Sequence, residues 1–157
     1  MKAQNIDWKT RREQDRRKAA WHEAGHFIVA SHYGLAHSCW LIERGVATEE
    51  HKAFTGQTGF FSSTPFRNAA IAWAGVLGEE AQGRDVDGWK FETQILWEYF
   101  NDSFPDEMSE TDLKMVNSTP YRRRAFDTAV HILAKRFPEL KAVAASLIRV
   151  GVFPANI

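Results

Sequence analysis

From Lys9 to Tyr33 the chain keeps a helical period while its character changes half-way along. The first half is polar (Arg11, Arg12, Glu13, Asp15, Arg16, Arg17). The second is apolar at helical spacing, with Ala20, Ala24, Phe27 and Ile28 on one face. One long helix is predicted, stopped by Gly34. Cys39–Glu43 and Gln57–Phe61 read as short strands joined by a polar segment around Arg44–Lys52. Thr64-Pro65 has the residues of an N-cap followed by a first helical position. It opens an Ala-rich helix that runs to about Gln82 and closes at Gly83. Further helices are predicted from Ser109 to before Pro120, over Tyr121–Phe137, with Phe126, Val130, Leu133 and Phe137 on one face, and over Glu139–Val150. The expected fold is mainly α with a small β element beside the first helix, in a single domain over 1–157 with a loose lead-in at 1–8.

One segment breaks the rhythm. Arg84–Met108 is dense in aromatics (Trp89, Phe91, Trp97, Tyr99, Phe100, Phe104), with Ile95, Leu96, Tyr99 and Phe100 at helical spacing. So much apolar surface is costly in water, at about 25 cal/mol per Å². The segment is expected to be core, a subunit contact or a lid.

Composition narrows the classes. Lys+Arg and Asp+Glu both number 20, which leaves no global charge to attract nucleic acid or an anionic membrane. The basic runs at Arg11–Lys18 and Arg122–Arg124 read as solvated helix faces. The single cysteine, Cys39, sits in an apolar run and is expected in the core of an intracellular protein. The N-terminus lacks the apolar stretch of a signal peptide, and the run from Ala69 to Gly78 is too short to span a bilayer. A soluble, cytoplasmic chain with no membrane segment is expected. No Gly-Lys dipeptide occurs, so there is no phosphate-cradling loop of the Walker type.

The chemistry is concentrated in Ala20-Trp21-His22-Glu23-Ala24-Gly25-His26, which places H-E-x-x-H inside the first helix. Residues four apart on a helix have Cβ atoms roughly 5–6 Å apart, so both imidazoles can reach one Zn²⁺ at about 2.0–2.1 Å. Glu23 projects beside the metal, where it can take a proton from a metal-activated water. Gly25 costs roughly 1 kcal/mol relative to alanine within a helix, which close approach of another backbone would explain. His37, His51 and His131 have no metal-ligand spacing to one another.

A catalytic zinc usually has three protein ligands, and the residues leave the third open. His32 has the spacing of a longer three-histidine pattern. Val29 stands where that pattern needs a helix-ending glycine, so His32 would lie about 9 Å along the axis from His26. Glu79 and Glu80 are placed either to ligate from a second helix or to hydrogen-bond a ligating histidine. Asp85 and Asp87 are further candidates. Asp112, three residues after Ser109, serves equally as a helix-capping residue or as a ligand.

Taken in order, the motifs resemble the peptidase domain of the FtsH family of zinc metalloproteases. His22-Glu23-Ala24-Gly25-His26 is similar to that family's signature. Gly56-Gln57-Thr58-Gly59-Phe60 looks like its substrate-side strand, and Ala74–Ala81 like its G-x-x-A-E-E helix. Ser109-Glu110-Thr111-Asp112-Leu113 matches the segment supplying its aspartate ligand. About residues 18–150 are covered. The resemblance implies a zincin-like helical peptidase domain, with His22, His26 and Asp112 binding zinc and Glu23 as catalytic base. The aromatic segment 84–108 stands as an insertion relative to the family and is expected close to the metal. No counterpart of the family's membrane anchor or ATPase module is read here, so a free-standing domain is expected. Its substrate would be a peptide or unfolded protein; a homo-oligomer or a separate ATPase partner is left open. The rival expectations are a non-enzymatic zinc-containing interaction or regulatory module and, third, a zinc hydrolase acting on a non-peptide amide.

Overall fold

A computed structural model of the protein describes residues 7–45, 52–102 and 108–154. The first helix, α1 (Trp8–His32), begins where Asp7 accepts hydrogen bonds from the backbone N–H groups of Lys9 and Thr10. It is followed by strands β1 (Ala36–Glu43) and β2 (Phe54–Phe60), then α2 (Pro65–Glu80), α3 (Val86–Asp102), α4 (Glu110–Val116), α5 (Arg122–Lys135), α6 (Phe137–Val150) and β3 (Val152–Phe153). The mainly helical architecture with a small sheet agrees with the pattern of the sequence. Most of the polar connection, the lead-in as far as Ile6, His51 and Phe104 lie outside the described residues.

α2 is the hub. Every residue from Ala69 to Gly78 is buried, which accounts for an apolar run with no polar face. Thr64 caps its start, its hydroxyl accepting from the Arg67 N–H, with Pro65 at the first helical position. α1 crosses α2 backbone against backbone. A Cβ on Gly25 would lie 2.0 Å from the Ala74 carbonyl oxygen, and one on Gly78 would lie 2.3 Å from that of Trp21. The glycine within the H-E-x-x-H motif is therefore the close-approach residue, and only glycine fits there.

On the far side of α2, Trp73 anchors an aromatic cluster with Trp97, Phe100 and Phe126, at ring-centroid distances of 5.2–5.8 Å. The buried Trp89 donates its indole N–H to the Leu77 carbonyl. Much of the aromatic segment is thus core. Its helical face is rotated from the expected one, because Leu96 and Phe100 turn inward while Ile95 and Tyr99 are exposed. Periodicity placed four apolar residues on one side, but α3 meets only a narrow strip of α2 and α5, so two of them remain outside. Cys39 is fully buried on β1.

The sheet is antiparallel with order β2-β1-β3. β3 carries no sequence signal; it forms because Gly151, at φ +78°, turns the end of α6 back onto β1. β2 is left as the outer strand lying along α1. Among the described residues no helix is long and apolar enough to cross a membrane.

Candidate metal centre

One face of α1 (Asp15, Lys18, Ala19, His22, Glu23, His26) forms the floor of a cleft of about 570 Å³. β2 closes one side; Glu79 of α2 and Asp112 of α4 stand at the other. At its centre three atoms converge. His22 Nε2 and His26 Nε2 are 2.9 Å apart, and Asp112 Oδ2 lies 3.4 and 3.3 Å from them. Donor atoms around a tetrahedral ion with bonds of about 2.0–2.1 Å stand about 3.3 Å apart. The two separations to Asp112 match that spacing, and the 2.9 Å between the imidazoles is about 0.4 Å short of it, a difference that small ring movements close without rearrangement of the helices.

Hydrogen bonding on the outer side of each ring determines what faces inward. His26 Nδ1 donates to the Ile71 carbonyl at 2.6 Å, and a carbonyl can only accept. His22 Nδ1 donates to the Glu79 carboxylate at 2.7 Å, and the other oxygen of Glu79 is 3.9 Å from Lys18 Nζ. In the neutral rings both Nε2 lone pairs then point at each other and at a carboxylate. Three acceptors this close require a shared cation. Without a metal, protons fill that role. Burial opposes the charge on His22, but hydrogen bonds to Asp112 and Glu79 overcome it and raise its pKa to about 10. His26 is raised as well, chiefly by Asp112 against the cost of burial. Burial would lift the Asp112 carboxyl, yet the two histidines hold it far below the usual carboxylate range. A site that demands positive charge this strongly suits a divalent ion.

The cap and candidate-ligand readings of Asp112 do not compete, because they involve different atoms. Its backbone N–H donates to the Ser109 hydroxyl and starts α4, while its side chain points at the histidines. Glu79 and Glu80 divide differently from the expectation. Glu79 holds His22, whereas Glu80 pairs with Arg84 at 3.6 Å and is not in the cleft. Adjacent residues point about 100° apart on a helix, and the glycine crossing decides which one faces α1. His32 is exposed against Tyr33, Asp85 accepts from the Gly88 N–H at the start of α3, and Asp87 is exposed; none joins the site. Among the described residues none of α3 lines the cleft, so the described part of the aromatic segment, 84–102, lies behind α2 rather than beside His22, His26 and Asp112.

Two residues within the segments that carry the resemblance make contacts that no local pattern assigned to them. Gly75 lies under the imidazoles: a Cβ there would sit 2.6 Å from His22 Cε1, His22 Nε2 and His26 Cε1. Thr58 on β2 reaches Glu23, its hydroxyl 3.0 Å from Oε1 and 3.2 Å from the Glu23 backbone oxygen. Glu23 is buried at 5% exposure and lines the cleft with His22, His26 and Asp112, with Gly56 against its Cγ.

Compared with known proteins, the chain matches no family model and shows no significant similarity to a curated protein. The functional argument accordingly rests on the site.

Proposed function

We propose that the protein is a zinc metallopeptidase domain of the FtsH type, hydrolysing peptide bonds within an extended substrate. The observation that carries this reading is the convergence of His22 Nε2, His26 Nε2 and Asp112 Oδ2 beside the buried carboxylate of Glu23. A site built only for folding has no use for that carboxylate. When bound, zinc supplies Lewis-acid polarisation of a carbonyl and acidifies water. His22, His26 and Asp112 hold it, with the two imidazoles kept in register by Glu79 and the Ile71 carbonyl. Glu23 accepts the proton of the attacking water and passes it to the leaving amine. The outer edge of β2 offers main-chain hydrogen bonds to an extended chain, which favours unfolded polypeptide with little sequence preference. A peptide or unfolded protein is the proposed substrate, and delivery by a separate ATPase is compatible with an open cleft.

The test pairs metal analysis with cleavage of unfolded casein. Wild type should carry about one zinc per chain and cleave. Glu23→Gln, nearly isosteric but unable to act as a base, should keep the metal and lose the activity. Equal cleavage by Glu23→Gln refutes the mechanism. A zinc-loaded wild type that cleaves nothing transfers the site to the interaction-module reading.

A further inference from the structure

Strand alternation puts Phe54, Gly56, Thr58 and Phe60 on the same face of β2. That face lies along α1, and the two middle residues enclose one side chain. A Cβ at Gly56 would stand 2.3 Å from Glu23 Cγ and 2.9 Å from Cδ and Oε2, so the missing side chain opens the slot that Glu23 fills. Two residues on, the Thr58 hydroxyl lies 3.0 Å from Glu23 Oε1 and 3.2 Å from the Glu23 backbone oxygen, the carboxylate being the shorter contact and the charged acceptor. Thr58 is held in turn by β1, where it faces the buried Cys39.

We infer that Thr58 is a positioning residue for Glu23, fixing one carboxylate oxygen so that the other is left for proton transfer. The inference rests on the reading of Glu23 as the base. A glutamate side chain has three rotatable bonds, and a base must stay within about 2.6–3.2 Å of the proton it takes. α1 fixes only the start of that side chain. Gly56 gives it room and Thr58 gives it direction, with Oε1 accepting the hydroxyl proton and Oε2 kept for exchange with water and the leaving amine. The role belongs to the hydroxyl, since valine has the same shape and suits a strand equally well. It also places base positioning on a strand that, among the described residues, is an edge of the sheet.

Thr58→Val and Thr58→Ser separate this role from a structural one. With zinc content checked for each protein, Thr58→Val should lower kcat on an unfolded polypeptide about 10–100-fold, the range of a misplaced general base, at nearly unchanged KM. Thr58→Ser, which keeps the hydroxyl, should recover most of the loss. A readout free of turnover is the carbon-13 relaxation of the Glu23 Cγ methylene in the metal-free protein. It should report one ordered rotamer in wild type and Thr58→Ser, and averaging in Thr58→Val. An ordered Glu23 in Thr58→Val, a kcat within about twofold of wild type, or a serine variant as slow as the valine one would each overturn the inference. Should Glu23→Gln itself turn over normally, the base reading fails instead, and the relaxation result still decides whether Thr58 orders the side chain.

Discussion

Two glycines of the helix crossing should respond to alanine in opposite ways. At Gly75 the new Cβ would meet His22 Cε1, His22 Nε2 and His26 Cε1 at 2.6 Å, where ordinary contact begins at 3.4 Å. The rings must therefore retreat by about 0.8 Å, and metal–ligand distances tolerate only about ±0.2 Å. Both ligands are disturbed at once, so zinc affinity should fall at least about 100-fold, roughly 2.7 kcal/mol. The clash falls on side-chain tips, and alanine gains about 1 kcal/mol over glycine in a helix interior. The metal-free protein should thus lose only what the displaced imidazoles contribute through Glu79, Asp112 and the Ile71 carbonyl, with the backbone packing of α1 on α2 intact. At Gly25 the Cβ meets the Ala74 carbonyl oxygen at 2.0 Å, which is backbone and cannot turn aside. Gly25→Ala should cost about 3 kcal/mol or more through overpacking, lowering Tm by about 6–12 °C. Competition with a chromophoric chelator gives the affinities, and thermal unfolding in EDTA the stabilities. Gly75→Ala that binds zinc within about threefold of wild type would refute the placement of the imidazoles over that glycine.

Glu79→Gln should weaken zinc binding about 10–100-fold through the loss of the charged partner of His22, while Glu80→Gln should leave it unchanged; equal effects would mean that α2 is rotated. Metal must displace the proton that His22 holds below about pH 10, so zinc affinity should drop about tenfold for each unit of acidification, and a pH-independent affinity would contradict the shared-cation argument. Because the folded pKa of His22 is raised from 6.5, its contribution to the stability of the metal-free protein is fully present below pH 6.5 and lost as pH rises to about 10; denaturant melts across that window measure it. Burial, with the charge of Glu23 behind it, pushes the Cys39 thiol up to about 12. The folded protein should therefore not react with a disulfide thiol reagent at pH 8, and unfolding should expose the single thiol; rapid labelling of the native chain would place Cys39 outside the core.

Much of the local structure was legible before any coordinates. The apolar period of α1, the Thr64-Pro65 start of α2, the Ser109 start of α4 and the two longer strands each depend on residues close together in sequence. Spacing alone put His22 and His26 within reach of one ion and Glu23 beside them. Gly25 could be read as a close approach because a mid-helix glycine needs a reason.

What local patterns could not carry is rotation and distance between elements. Glu79 and Glu80 are equivalent in sequence, and only the Gly25–Gly78 crossing turns one toward His22 and the other toward Arg84. Asp112 is a plausible cap by its spacing; its side chain becomes part of the site because α4 packs on α2. Ile95 and Tyr99 share a helical period with buried neighbours, yet α3 is too lightly covered to bury them. Gly75, Gly56 and Thr58 fall within segments that carried the resemblance, yet nothing local gave them these individual roles, because what they accommodate comes from α1, far away in the chain. A sequence encodes each element through neighbours a few residues apart. The candidate metal centre is completed by gaps of 3.3–3.4 Å between atoms on α1 and α4, and those gaps exist only once the packing of helix on helix is complete.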